Sequence, residues 1–133
     1  MSGSFRPPVV YTLAAMEAAL ANDRRFMALH KCFLLDECQL IVPSVVHDEL
    51  RRRRAEPLVV MRACKVDQYE DSPVVRDYMV DFALIGKANS QLNAVTAATA
   101  VAYRAVVVTS EVNALELMWA VPDPDRPMSI ITI

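Results

Sequence analysis

Short runs of β-branched and aliphatic residues alternate with longer stretches of helix formers along this chain, and that alternation leaves few folds open. The plainest case is the segment 92–113. Leu92-Asn93-Ala94-Val95-Thr96-Ala97-Ala98-Thr99-Ala100 reads as an Ala-rich helix. It leads through Tyr103-Arg104-Ala105 into Val106-Val107-Val108-Thr109, a short buried strand that stops at Ser110-Glu111. Earlier strands are expected at residues 8–12 and 39–43, a further one somewhere in residues 58–66, and a last one at residues 130–133. Helices are expected at residues 13–20, 24–35, 44–54, 72–85 and 111–119, with Ser44 and Ser90 as N-caps and Gly86 as a stop. Strands alternating with helices give a parallel sheet with right-handed crossovers and helices on both faces. The chain therefore reads as a single α/β domain.

At 133 residues the chain is long enough to bury a core, and 54% hydrophobic residues with only two glycines fit a folded domain. A formal net charge of −2 gives no bulk attraction to nucleic acid, so any such binding must come from a local patch. Three cysteines without a CxxC spacing, beside only His30 and His47, make a structural zinc site a poor fit. Residues 1–8 lack a long apolar core behind a basic start, so no signal peptide is expected. The uncharged run 88–103 is interrupted by Asn, Ser, Gln and Thr and falls short of the ~20 apolar residues of a span. A cytoplasmic protein with no membrane partner is the expectation.

In an α/β sheet, ligands bind outside the carboxyl ends of the strands. The polar residues expected there are Thr12, Asn93, Glu111 and Asn113. Each has an ordinary structural role open to it: Thr12 as a cap, Asn93 against free helix N–H groups, Glu111 stabilised by the helix dipole. Glu49 falls between Val45 and Val46 on the inward shoulder of its helix, where an acid needs a partner or a task. Arg53 lies at i+4, in the favourable order for an ion pair. The run Arg51-Arg52-Arg53-Arg54 is the one basic cluster, read either as a solvated helix end or as a phosphate contact. No Gly-rich phosphate loop, nucleophile elbow or metal-type His spacing is present.

Four segments taken in order resemble a PIN domain, and by size the VapC-type toxins of toxin–antitoxin pairs. They are Val9-Val10-Tyr11-Thr12-Leu13-Ala14-Ala15-Met16, Leu40-Ile41-Val42-Pro43-Ser44-Val45-Val46-His47-Asp48-Glu49-Leu50, Leu92-Asn93-Ala94 with its helix, and Val107-Val108-Thr109-Ser110-Glu111. The resemblance implies a three-layer α/β/α domain with a central parallel sheet of four or five strands, often a homodimer. It also implies an endoribonuclease holding Mg²⁺ or Mn²⁺ among acids at the carboxyl ends of the strands. Those acid positions fall on Thr12, Glu49, Asn93, Glu111 and Asn113. Only Glu49 and Glu111 are acidic, so they are the residues expected to carry catalysis and metal if either survives.

Magnesium prefers charged oxygen ligands and gives up water reluctantly. Three neutral replacements should weaken divalent binding, leaving no cofactor or a weakly held Mg²⁺ or Mn²⁺, and a two-metal arrangement is hard to support. The favoured expectation is thus a PIN-like domain with cleavage lost or weakened, acting by binding RNA or a protein such as an antitoxin. An active metal-dependent endoribonuclease and a purely structural interaction domain are the alternatives. Met16, Leu20, Phe26 and Phe33 belong either to the core or to a dimer interface.

Overall fold

The first strand, β1 (Val9–Tyr11), is wholly buried and stands at the centre of the sheet. The structure, a computed structural model, describes residues 6–84, 91–120 and 128–133. After β1 come helices α1 (Leu13–Leu20) and α2 (Arg24–Leu35), strand β2 (Leu40–Pro43), and helices α3 (Ser44–Arg52) and α4 (Leu58–Met61). Strand β3 (Cys64–Asp67), helices α5 (Pro73–Leu84) and α6 (Gln91–Tyr103), strand β4 (Val106–Thr109), helix α7 (Glu111–Ala120) and strand β5 (Ser129–Thr132) complete the order. The five strands form one sheet in the order β3-β2-β1-β4-β5, with every pairing parallel. The expected α/β class, the five-stranded parallel sheet and the helices on both faces are all present.

Side-chain alternation divides the core between the two faces. Val9, Tyr11, Leu40, Val42 and Val108 point to one side, where Met16 of α1, Phe26 of α2 and Val46 and Leu50 of α3 meet them. Val10, Ile41 and Val107 point to the other, against Val75 of α5, Ala97, Ala98 and Ala100 of α6 and Leu117 of α7. The small residues of α6 matter here. Asn93 through Ala100 are all buried, because a helix wedged between its neighbours and the sheet has no solvent face. Met16 and Phe26 are therefore core, Phe33 packs against the same cluster, and Leu20 alone of the four early apolar residues is exposed.

Two expectations are corrected. Residues 58–61 form a helical turn, with Met61 N–H bonded to the Pro57 carbonyl, and the strand begins only at Cys64. Leu58 and Val59 point to solvent, so nothing holds them in the sheet. Ser44 does not cap α3: Pro43 occupies the cap position, Ser44 is the first helical residue, and β2 runs straight into the helix. Helix α3 stops at Arg52, with Arg53 as C-cap and Arg54 at a left-handed φ of 54°. The expected stop at Gly86 and cap at Ser90 lie outside the described residues. No helix among the described residues is long and apolar enough to cross a membrane.

One polar pair lies inside the first core cluster. The Tyr11 hydroxyl sits 2.7 Å from His30 Nδ1, and Phe26 stacks on the His30 ring. Burial pushes the Tyr11 phenol up and the imidazole down, so both partners of this hydrogen bond are uncharged near neutral pH. A histidine whose folded pKa is lowered contributes stability that is present above its unfolded value near 6.5 and lost as pH falls below it. Urea unfolding at pH 7.5 and pH 5 is expected to show a larger drop for the wild type than for His30→Gln, which keeps a polar partner without titrating. Equal drops would contradict the assignment.

Candidate functional site

The sheet order changes direction between β1 and β4, and the crevice outside their carboxyl ends is where such a fold builds a site. A pocket of about 450 Å³ opens there. Leu13, Ala14 and Glu17 of α1 form one wall, and Glu49 and Arg53 from α3 and its cap form another. Leu92 and Asn93 of α6, with Ser110, Val112, Asn113 and Glu116 around the start of α7, close it. A shallower pocket of about 300 Å³, lined by Val45, Asp48, Arg52 and Gln91, shares Glu49 and Leu92 with the first. The two read as one groove over α3 and the start of α6.

Local structure places each of these side chains. Thr12 is fully buried and N-caps α1: its Oγ1 accepts from Ala15 N–H at 3.2 Å and donates to the Val108 carbonyl at 2.9 Å. Ser110 caps α7 by accepting from Asn113 N–H at 3.2 Å. The Asn113 amide donates to Thr109 Oγ1 at 2.8 Å, and the buried Asn93 amide donates to Glu116 Oε2 at 3.2 Å. These bonds join β4, α6 and α7 into a fixed floor.

Of the residues expected at the site, Glu49, Asn93 and Asn113 line the pocket together. Thr12 lies beneath it with its hydroxyl already used in both directions. Glu111 is exposed in the first turn of α7 and does not line the pocket. Glu17 and Glu116 do, and sequence reading missed both. The signal was helical spacing: Glu17 follows Leu13 at i+4 and Glu116 follows Asn113 at i+3, so each shares a face with a wall residue.

The electrostatics centre on Glu49. Its Oε1 accepts from Arg52 Nε at 3.1 Å and its Oε2 from Arg53 Nε at 2.7 Å, with a further close contact from the Arg52 terminal nitrogen. Hydrogen bonds from Arg52 and then Arg53 hold its carboxyl down to about 2. The Arg53 guanidinium also reaches Glu17 Oε2 at 3.3 Å, tying α1 to α3. The expected Glu49–Arg53 pair is thus present, with Arg52 added. Arg51 and Arg54 are exposed and make no ion pair among the described residues. A buried acid, Asp67 at the end of β3, lies outside this pocket. It accepts from the Tyr103 hydroxyl at 2.6 Å, which raises that phenol to about 12.

A divalent ion needs several unshared, charged oxygens converging on one point. Both Glu49 oxygens are taken by guanidinium groups, Glu17 shares one of those groups, and Asn93 and Asn113 direct their N–H groups to other acceptors. Among the described residues no three His, Cys, Asp or Glu side chains are placed to hold a metal. The donor set, as arranged, does not fit one.

No model of a known protein family matches the chain, and no curated protein matches it in sequence. Solved structures do. A chain of VapBC2 from Rickettsia felis, in a crystal structure bound to a DNA fragment from their promoter, superposes with a TM-score of 0.71. The match spans 94% of this chain and 98% of that one at 10% sequence identity. Together with the all-parallel β3-β2-β1-β4-β5 sheet and its flanking helices, this likeness establishes a PIN-like fold.

Proposed function

We propose that this chain is a PIN-like domain of the VapC type in which metal-dependent RNA cleavage is lost or weak, and that it acts by binding. The observation that carries this reading is the state of Glu49. The one acid retained at its expected place in the pocket is bound on both oxygens by arginines of its own helix end. The same geometry favours a protein partner of the antitoxin kind over RNA. Glu17, Glu49 and Glu116 set three carboxylates against Arg53 in the lining and Arg52 on Glu49, a surplus of one carboxylate that suits a basic segment better than a phosphate. Two of the four clustered arginines are spent on Glu49, leaving Arg51 and Arg54 for any RNA contact. Val112, Leu115 and Met118, exposed along α7 beside the pocket, supply apolar area for such a partner or for a second copy in a homodimer.

The presence of those three carboxylates in one pocket lining, without the close grouping an ion needs, is the observation on which the second reading rests, an active Mg²⁺- or Mn²⁺-dependent endoribonuclease. Calorimetric titration of both metals, with an RNA-cleavage assay on wild type and Glu49→Ala, separates the two. The expected result is no metal-dependent cleavage by either protein and no binding at micromolar metal. Micromolar binding with cleavage abolished in Glu49→Ala would overturn the proposal. RNA retained at low salt without cleavage would move the binding role from protein to RNA.

A further inference from the structure

The neutral residues at positions 12, 93 and 113 do not by themselves account for the loss of a metal site. The pocket has other acids. Glu17 from α1 and Glu116 from α7 join Glu49 in its wall; no three acids among the described residues are grouped to hold an ion, but Glu17 and Glu49 come close enough to share one cation. What distinguishes the pocket is a cation that is already there. The Arg53 guanidinium lies 2.7 Å from Glu49 Oε2 and 3.3 Å from Glu17 Oε2, bridging acids from two helices that are 32 positions apart in sequence.

We propose that Arg53 is the resident counter-cation of this pocket. Its side chain supplies the positive charge that would otherwise come from a divalent ion, and closes the site to one. This rests on the reading that the chain does not carry out metal chemistry, and it names the group responsible. A planar guanidinium offers several N–H donors in a fixed fork and stays charged at every accessible pH, so it neutralises two carboxylates without solvent ions. A metal approaching the same oxygens must displace those hydrogen bonds and also meets a positive charge at close range. Arg52 holds the other oxygen of Glu49 and keeps the carboxylate turned to its own helix end.

The test is Mn²⁺ binding, read by calorimetry and by water-proton relaxation, on wild type, Arg53→Met, Arg53→Gln and Arg53→Lys, with thermal melting to show that each is folded. Arg53 is exposed enough for the exchanges to be tolerated. Arg53→Met and Arg53→Gln are expected to bind Mn²⁺ roughly tenfold or more tightly than wild type, the scale on which one neighbouring charge moves a carboxylate's affinity for a cation. Arg53→Lys, which keeps the charge, is expected to stay near wild type. Adding Glu49→Gln to Arg53→Met is expected to abolish the gain. Folded Met and Gln variants that bind no more Mn²⁺ than a silent wild type would overturn the inference and leave the proposed function standing. Tight binding by the wild type itself would overturn that proposed function instead. A gain in Arg53→Lys equal to that in Arg53→Met would show that shape, not charge, closes the site, and would also overturn the inference.

Discussion

Thr12→Asp, which restores the acid implied by the PIN resemblance, is expected to destabilise the domain by about 3–5 kcal/mol, the cost of leaving an uncompensated charge buried. Thr12 is fully buried, and its hydroxyl both accepts from Ala15 N–H and donates to the Val108 carbonyl. A carboxylate can still accept from Ala15 N–H, but it faces Val108 oxygen with no proton to offer. Thr12→Ser keeps both bonds and loses one methyl, worth about 1 kcal/mol. Denaturant unfolding of the two variants at pH 7 measures the difference. It should narrow at lower pH, where a protonated Asp regains a donor and the neutral form tolerates burial. A stable Thr12→Asp protein that also binds Mn²⁺ would place this chain one substitution from a metal centre, against the reading above.

Phe26→Ala is expected to cost about 3–5 kcal/mol, the range for removing a large aromatic side chain from a packed core. Phe26 is fully buried and meets Tyr11 edge-on, with ring centroids 5.1 Å apart and planes at 60°. It also stacks on His30 at 5.9 Å. Tyr11 lies on the central strand, one residue before Thr12, so this aromatic group braces the strand end under the pocket. Phe26→Leu should cost appreciably less, because most of the volume is kept. Chemical denaturation of both variants checks the order. Equal losses would mean that ring geometry, not volume, sets the cost.

Much of the fold was legible in the residues because its signals are local. Buried strands at Val9–Tyr11 and Leu40–Pro43 read as short aliphatic runs, and Asp23 caps α2 through Phe26 N–H at 2.9 Å, as the break at Asn22-Asp23 suggests. The segment 58–66 misled for an equally local reason. Leu58-Val59-Val60-Met61 has strand composition, but Pro57 sets up a helical turn, and only Cys64–Asp67 finds β2 as a neighbour. β-propensity reports a fit to a half-buried pleated surface, and Leu58 and Val59 have no such surface.

The candidate site divides along the same line. The sequence by itself determined that Asn93 and Asn113 stand in the first turns of helices around an α/β sheet, and that Glu49 has Arg53 one helical turn away. Those statements follow from periodicity and spacing within single elements. Only the tertiary structure decided which acids share a space. It left Glu111 in solvent, drew in Glu17 and Glu116, and joined Arg53 to an acid 36 positions before it. Convergence at the end of a parallel sheet depends on crossovers that bring distant helix starts together, and no local pattern encodes which side chains then meet.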